Sequence, residues 1–568
     1  MCSNCSEKQR KCWLFGVGVF LACCAIILGL IWPNLGQSIV NSKLKFKNGS
    51  MLFNSWLETP IPIHIKFHLF NWTNPEKINN ASVKPHFEEC GPYVFTEKHT
   101  RVNLTWHDNG TISYNQIRTW HFDESLSNGS LDDMITFLNP VTATVVNMMK
   151  DKWPIIKEIV NKLLIKKGGT LTATKKVREV LFDGYEDPLL AFLKKLNISN
   201  IPFNKFGWFF GRNNSYTYDG RFTMFTDQYD ATSLGYLTHW NGRNLTGYYE
   251  GECGKVFGSS GELWPRQMKP NSPKSIFIPD LCRTITLNIN EKFEKYGLEG
   301  SQYTGDNHVF DNGHIYKDTR CFCPEKDFNK CPPTGVLDIS KCKFGAPAAM
   351  SYPHFYLADP RYVKAVSGLS PNESLHKFTA ALEPKTGIPL DLAARIQLNM
   401  FLRQDKYFDV YKDVQNVLLP AFWFAMTVSI DETFASQVKL ALSLPGLGFY
   451  VACGLFTVAV IIIVVGIVLS LTKSWFLPNS DVYGYSAGST CSHLYGVSPR
   501  QRRVLPGPAQ ISTPGAIETE HIFLRICHQY YTKNDREINQ EKLPKAFNYT
   551  FLLNRQIYCK DSLVKKKV

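Results

Sequence analysis

Six cysteines fall within 90 residues and could act together chemically: Cys253, Cys282, Cys321, Cys323, Cys331 and Cys342. An even number of closely spaced cysteines favours three disulfides in an oxidising compartment. The alternative is a zinc site, because Cys321-Phe-Cys323 approaches metal-ligand spacing, but the paired C-x₂-C knuckles are missing. Spacing alone cannot choose among the fifteen pairings of six cysteines. Cys90 is left over, either as a buried free thiol or as an intermolecular link.

Lysines crowd the segment after residue 149 and could hold anions by charge: Lys150, Lys152, Lys157, Lys162, Lys166 and Lys167. Apolar residues at helical spacing predict a helix from Trp153 to Leu164, ended by Gly168-Gly169. Either this helix packs by its apolar stripe with solvated lysines, or the cluster attracts anionic head groups, oxidised lipid or acidic proteins. A second helical run is predicted from Lys175 to Phe182.

Motifs for covalent chemistry are missing from the sequence. We find no Walker motif, no G-x-G-x-x-G and no H-E-x-x-H, so we expect neither an enzyme nor a bound cofactor. Gly484 to Gly488 matches G-x-S-x-G, but it lies in a polar, turn-rich segment with no strand before it. The chain of 568 residues has a net charge of +14, which could suggest a nucleic-acid partner, but the membrane topology argues against one.

Two uncharged segments predict membrane-spanning helices. Trp13 to Trp32 gives 20 residues without a charge, enough to cross about 30 Å of hydrocarbon. A cleaved signal peptide is the alternative for the first segment, and a buried core helix for the second, which lies between Lys439 and Lys473. Basic residues precede the first span and follow the second, which places both ends in the cytosol.

This topology divides the chain into five parts: a cytosolic N terminus (1–12), a span (13–32), an ectodomain (33–443), a second span (444–472) and a mostly disordered cytosolic tail (473–568). Ten glycosylation sequons between the spans support an exterior location: Asn48, Asn71, Asn80, Asn103, Asn109, Asn128, Asn197, Asn213, Asn244 and Asn372. Cys2 and Cys5, on the cytosolic side of the first span, are candidates for S-palmitoylation.

Within the exterior segment, Ile61 to Phe70 alternates apolar and polar residues, which predicts a β-strand. Shorter β-rich runs are predicted at 93–95, 112–122, 216–225 and 275–278, and Asp108-Asn109-Gly110 predicts a hairpin turn. These patterns indicate a mostly antiparallel β domain with inserted helices.

Longer motifs carry a family resemblance from about residue 8 to residue 475. They include Gly91-Pro92-Tyr93, GVLDISKCKFGAP at 335–347 and SYPHFYLADP at 351–360. With these segments the chain resembles the class B scavenger receptors, and its opening is most similar to an insect haemocyte receptor. The resemblance implies an α+β fold, in which a large antiparallel β-barrel-like ectodomain with a helical apex and an internal lipid tunnel lies between two transmembrane helices.

The same resemblance implies the disulfides Cys253–Cys321, Cys282–Cys342 and Cys323–Cys331. It places the apical ligand surface on the lysine-rich helix: the family's best-known binding lysine aligns with Lys166, beside Lys167, and we include Lys152, Lys157 and Lys162. A second family lysine falls at Gly168 here.

The implied function is that of a plasma-membrane receptor without covalent chemistry, which binds modified lipoprotein, apoptotic cells or microbial envelopes for phagocytosis and lipid uptake. The implied partners are lipids, lipoproteins and anionic surfaces, and a homo-oligomer is a further possibility. The alternatives are a lipid or carotenoid transfer protein that acts through the tunnel, and a trafficking receptor with an endosomal or lysosomal pool.

Overall fold

The computed structural model describes residues 7–195, 204–269, 271–323, 325 and 327–471. The cytosolic tail predicted at 473–568, the lipidation candidates Cys2 and Cys5, and the sequon at Asn197 lie outside these residues.

Two long helices stand at the ends of the described chain. They are α1 (Glu7–Leu44) and α8 (Glu432–Leu471), with 38 and 40 residues, and both are long and apolar enough to cross a membrane. Gly18 lies against Ile463 and Gly29 against Ala452, so the two helices run antiparallel and approach closely at small residues. Between them, the described residues form six further α-helices: α2 (Met51–Leu57), α3 (Pro140–Met148), α4 (Pro154–Lys166), α5 (Pro188–Lys195), α6 (Pro360–Ala365) and α7 (Glu373–His376).

Strands make up most of the domain between α1 and α8. They are β1 (Ile63–Trp72), β2 (Phe87–His107), β3 (Thr111–Phe122), β4 (Met134–Leu138), β5 (Thr172–Lys176), β6 (Arg221–Phe225), β7 (Leu237–Trp240), β8 (Lys274–Ile278), β9 (Arg283–Lys295), β10 (Leu298–Thr304), β11 (Leu337–Asp338), β12 (Ala348–Ser351), β13 (Thr379–Leu382), β14 (Pro389–Leu402) and β15 (Val417–Ser429). All but β4 and β5 belong to one antiparallel sheet of 13 strands.

This sheet curls into a nearly closed barrel. Its main path runs β7-β6-β3-β2-β1-β15-β14-β13-β10-β9-β8, with β12 attached to β14 and β11 to β12. The two ends of the path are bridged by Ser259, which pairs with Tyr236 beside β7 and with Ile276 on β8. The barrel thereby leaves little of its edges unpaired, as soluble β proteins require.

The barrel core follows from alternating strands. Predicted at 61–70 and found at Ile63–Trp72, β1 alternates buried and half-buried residues, and the predicted hairpin turn joins β2 to β3. Phe67 on β1 is fully buried, and its ring lies 5.2 Å from Phe209 and 6.2 Å from Phe422. Aromatic rings at these spacings add to the burial of their apolar area.

Strand β15 defines the two ends of the barrel. Its first residues, including Val417 and Leu418, are buried in one cluster with Val141 of α3 and Leu164 of α4. Its last residue lies three positions before α8. We call the end with α3, α4 and α5 the apex and the end with α1 and α8 the foot. At about 3.3 Å per residue, the 13 residues of β15 separate the two by about 40 Å.

The helix predicted from Lys175 to Phe182 is confirmed only from residue 177 onward, where two α-helical residues lead into a π-helical turn. Residues 172–176 form strand β5, which pairs with β4, and a short π-helical turn follows at Glu179–Asp183. Lys176 and Arg178 both pair with Asp132, at 3.0 Å each. The pairing partner is about 40 residues away in the sequence, so the local pattern did not contain it.

Three disulfides join all six clustered cysteines, in the pairing that the resemblance implies: Cys253–Cys321, Cys282–Cys342 and Cys323–Cys331. These sulfurs are therefore not zinc ligands, as the alternative required. Cys90 is a half-buried free thiol, and burial beside Glu88 raises its pKa.

The sequon asparagines lie mostly on the surface. Of the nine in the described residues, eight are exposed. Asn71 is half-buried within β1, where its Oδ1 accepts a hydrogen bond from the Thr136 N–H at 2.9 Å. Most of the predicted sites are therefore accessible to a sugar, and Asn71 is the exception.

A group of titratable side chains lies beside β1 and β2. Glu89 accepts hydrogen bonds from His68 and His354 at 2.6 Å each, and these outweigh the effect of burial and hold the pKa of Glu89 well below its usual range. The ring of His354 stacks on His376 at 4.4 Å. Burial, with the positive charge that His354 can carry, lowers the pKa of His376 to about 4.

Candidate ligand surface and apical cavity

Helix α4 packs on the barrel by a polar flank. Lys157 Nζ lies 2.8 Å from Asp405 Oδ2, and Asn161 exchanges two hydrogen bonds of 3.1 Å with Asp409, both partners belonging to the loop between β14 and β15. Leu164, on the same flank, is fully buried. Residues spaced by three or four positions share one helix face, so this loop fixes which face of α4 turns outward.

The outward face of α4 carries both apolar and basic side chains. Ile155 and Ile159 are 66% and 62% exposed, and Trp153 before the helix is 76% exposed. Lys162 and Lys166 continue the same face at the next helical spacings and are exposed. In the described part of the chain neither lysine has a carboxylate within salt-bridge distance. We call these five residues the apical face.

The apical face corrects one interpretation of the sequence. The apolar stripe of α4 allowed two interpretations, and in one of them the helix packs against the rest of the domain by this stripe. The structure buries only its C-terminal part, with Leu164 buried and Val160 and Leu163 half-buried, and leaves the isoleucines in solvent. Exposed isoleucines next to lysines are typical of surfaces that meet a membrane or an apolar ligand.

The other predicted ligand-binding lysines lie in three different settings. Lys152 is exposed before the helix. Lys167 is partly exposed, with its ammonium 4.8 Å from the centre of the Phe192 ring of α5, so it also holds α4 to α5. Lys157 is only 8% exposed and is paired with Asp405. We therefore assign Lys157 to the packing of α4 and leave it out of the ligand surface.

An apolar cavity of 180 Å³ opens below the apical helices. Its lining comes from α3 and α5, from the segments at 205–209 and 343–348, and from the barrel strands, and includes Val141, Val145, Leu190, Phe209, Phe422 and Phe424. The cavity is smaller than the about 300–1,000 Å³ of typical ligand sites. The tunnel that the resemblance implies, with this cavity as its apical end and a continuous passage to the foot, stays a prediction.

Charged groups border this cavity at one side. Asp280 accepts two hydrogen bonds from the buried Arg212, at 3.1 and 3.2 Å, and Lys343 Nζ lies 3.6 Å away. Although burial alone would raise it, these cations hold the pKa of Asp280 well below its usual range. The carboxylate is therefore ionised at neutral pH, and the lining changes from charged to aromatic within one cavity.

Residue spacing predicted the helix and its lysines but identified none of the residues that line the cavity. Lining residues such as Tyr218, Phe344 and Leu398 come from distant parts of the chain. No spacing rule joins such residues, because only the closed barrel brings them together. The exposed isoleucines were visible as a stripe, but the sequence held no signal for the direction in which the stripe points.

Comparison with known proteins agrees with this architecture. A family model described as the CD36 family matches residues 16–470. Protein peste of Drosophila melanogaster is 35% identical over 443 residues, which cover 77% of this chain and 79% of that protein. Scavenger receptor class B member 1 of Mus musculus is 32% identical, with 78% and 86% covered. Lysosome membrane protein 2 of Homo sapiens is 29% identical, with 73% and 84% covered. The matched region contains both apolar helices and the barrel, and the chain belongs to the CD36 family.

Proposed function

We propose that this protein is a two-pass cell-surface receptor that captures anionic, lipid-bearing particles at the apical face. Both ends lie in the cytosol, and the glycosylated, disulfide-bonded barrel lies outside. Its ligands are surfaces such as modified lipoprotein, apoptotic membranes or microbial envelopes, and capture leads to phagocytosis and lipid uptake. No covalent step is needed for this function.

The observation that carries this proposal is the composition of the apical face. Lysines near an anionic membrane contribute about 1 kcal/mol each, and Lys162 and Lys166 are free of carboxylate partners in the described residues. Ile155 and Ile159 precede them on the same face and add apolar area that loses water on contact. Charge attracts the particle, and the apolar side chains hold it.

The apical cavity favours a second candidate function, the transfer of a lipid or carotenoid through the barrel. Aromatic and aliphatic side chains line this cavity, as expected of a site that shelters an acyl chain from water. In this case capture would serve only to bring the donor particle close. A bulky substitution in the lining, Ala346→Trp, would then block transfer and spare capture.

The test of the proposed function is uptake of fluorescent phosphatidylserine vesicles by cells that express the full chain. The variant is Lys162→Glu/Lys166→Glu, chosen because neither side chain packs against the barrel. The matched control is Lys43→Glu/Lys47→Glu, two exposed lysines at the foot with the same change in charge. Surface level is measured for each form, so that folding and transport are controlled.

We expect the apical variant to lose most vesicle uptake and the foot variant to keep it. Equal uptake by both variants would refute the role of the apical lysines. Equal capture with loss of lipid delivery in Ala346→Trp would support the transfer function instead. Confinement of the unmodified chain to lysosomes would refute the cell-surface location and support a trafficking receptor.

A further inference from the structure

A second cleft lies at the foot, between the two long helices and the base of the barrel. It has a volume of 830 Å³, within the range of sites for small molecules. Side chains of α1, α8 and three barrel loops line it, so one wall belongs to the membrane helices and the other to the barrel. We call it the foot cleft.

The basic groups of the foot cleft can still bind an anion. Asp227 accepts hydrogen bonds from the Phe46 N–H, and Arg266 Nη2 lies 2.7 Å from its carboxylate, so this acid is already satisfied. The buried Nε of Arg266 has no hydrogen-bond partner among the described residues. Lys45 and Lys385 are exposed, and within the same residues neither ammonium has a carboxylate within 4.0 Å. Arg266 Nε is enclosed by the protein, so the two exposed ammonium groups are the accessible donors in a cleft whose one acid is already paired.

Aliphatic side chains cover the remaining wall. Val40 and Leu44 of α1 face the cleft together with Leu442 and Pro445 of α8. A cleft for a soluble anion has no need of such a wall, because an exposed phosphate gains nothing from aliphatic contact. Cations on one side and aliphatic groups on the other fit a ligand with a charged head and an acyl chain.

The apolar parts of α1 and α8 lie directly below this cleft. The Trp32 Nε1–H donates a hydrogen bond of 3.0 Å to the Leu444 carbonyl, so the end of the first apolar segment is level with Pro445, which lines the cleft. At about 1.5 Å per helical residue, Lys45 lies about 20 Å further out. Since the head-group layer extends only about 5–8 Å beyond the hydrocarbon, the cleft begins at that layer and continues above it.

From this geometry we propose that the foot cleft binds one anionic lipid of the adjacent leaflet, lifted partly out of the bilayer. The exposed ammonium groups of Lys45 and Lys385 hold its phosphate or carboxylate group. The acyl chains descend along the aliphatic wall to the membrane. The site is independent of the apical face, so either proposal can fail without the other.

One segment of the chain separates the foot cleft from the interior of the barrel. In the segment 264–268, Trp264 and Met268 are buried in the interior cluster, whereas Arg266 and Gln267 line the cleft. The chain is not extended here, since Gln267 has a positive φ of 57°, and the segment presents side chains to both sides. A lipid in the cleft is therefore separated from the interior by a single segment of backbone, held by the hydrogen bond from the Met268 N–H to the Pro384 carbonyl at 2.8 Å.

The test measures lipid retained by the full chain in neutral detergent. The chain is loaded with equal amounts of dioleoyl phosphatidic acid and dioleoyl phosphatidylcholine, washed, and analysed by mass spectrometry. The variant is Lys45→Glu/Lys385→Glu, and the matched control is Lys43→Glu/Lys47→Glu, whose lysines are exposed beside the cleft and do not line it. The milder variant Lys45→Gln/Lys385→Gln guards against misfolding, which size-exclusion chromatography also monitors.

We expect the unmodified chain and the control to retain phosphatidic acid in preference to phosphatidylcholine. The cleft variant should retain at least about tenfold less phosphatidic acid, since each charge-assisted contact accounts for about one factor of ten. The glutamine variant should fall between the two. Equal retention by all forms, or equal loss in control and variant, would overturn the proposal. Complete displacement by millimolar inorganic phosphate would show a soluble-anion site and also overturn it.

Discussion

Replacing Ile155 and Ile159 by serine should weaken binding of anionic vesicles by about five- to thirtyfold. Full burial of an isoleucine side chain is worth about 1.5–3 kcal/mol. The two residues are 66% and 62% exposed, so about two thirds of that gain is available in each, about 2–4 kcal/mol for the pair. If a vesicle surface covers half of the available area, about 1–2 kcal/mol is lost in the variant, which corresponds to the stated change in Kd.

The assay is a vesicle titration of the full chain in neutral nanodiscs, at 0.15 M and at 1 M salt. The Debye length falls from about 8 Å to about 3 Å over this range, so the contribution of Lys162 and Lys166 decreases while that of the isoleucines stays. We therefore expect the fold-change caused by the serine substitutions to be the same at both salt concentrations. The control is Ile289→Ser/Ile315→Ser, residues that are 41% and 49% exposed in other parts of the barrel.

Two results would refute this reasoning. If the serine variant binds vesicles as tightly as the unmodified chain, the apical face does not enter the lipid surface, and capture is purely electrostatic. If the control variant weakens binding by the same factor, contact is spread over the barrel and α4 has no special role.

Three further predictions follow from the described contacts. Asp405→Asn should lower the free energy of unfolding by about 3 kcal/mol, because it leaves the buried Lys157 without its charged partner, and vesicle affinity should fall as well, since this contact helps to orient α4; a normal melting temperature would contradict this. Acidification from pH 6.5 towards pH 4 should destabilise the barrel by about 1.4 kcal/mol per pH unit for each of His376 and His99, since burial lowers both folded pKa values to about 4 and the unfolded chain binds these protons first; a His376→Asn variant should reduce that slope by about half in thermal melts. Replacing Cys253 and Cys321 by serine should cost about 4 kcal/mol, because that bridge closes a loop of 68 residues, against about 2.5 kcal/mol for the bridge that spans 8 residues; equal melting temperatures in the two double variants would contradict the loop argument.

Local sequence patterns correctly predicted those elements whose structure depends on local interactions. Helix α4 was predicted at 153–164 and is found at Pro154–Lys166, because its apolar spacing and the glycine pair after it determine both ends. The strand at the start of the ectodomain and the β2–β3 hairpin were predicted for the same reason. The disulfide pairing, by contrast, came from the family resemblance, since spacing allowed too many combinations.

Long-range packing determined everything that local patterns missed. The direction in which α4 faces depends on Asp405 and Asp409, about 250 residues further along the chain. The apical cavity and the foot cleft each combine segments that only barrel closure brings together. The helix predicted at 175–182 begins only at residue 177, because residues 172–176 pair with strand β4, which a helical pattern in one segment could not show.

The interior of the barrel decides whether lipid that is captured at the apex can reach the foot. The apical cavity has only 180 Å³, and it ends against the packed rings of Phe209 and Phe422. Passage of an acyl chain therefore requires ring displacement, which opposes the dense packing of the core. Phe422 is buried, and Phe422→Leu would enlarge the cavity at a modest cost in stability.

We expect this variant to speed transfer of a fluorescent fatty acid from bound vesicles to the cell membrane, while vesicle capture at the apical face stays the same. The matched substitution Phe401→Leu, which lies outside the cavity lining, should change neither rate. Faster transfer in Phe422→Leu alone would place the rate-limiting barrier inside the barrel. Unchanged transfer would mean that lipid reaches the membrane along the outer surface, and the foot cleft would then receive its lipid from the bilayer alone.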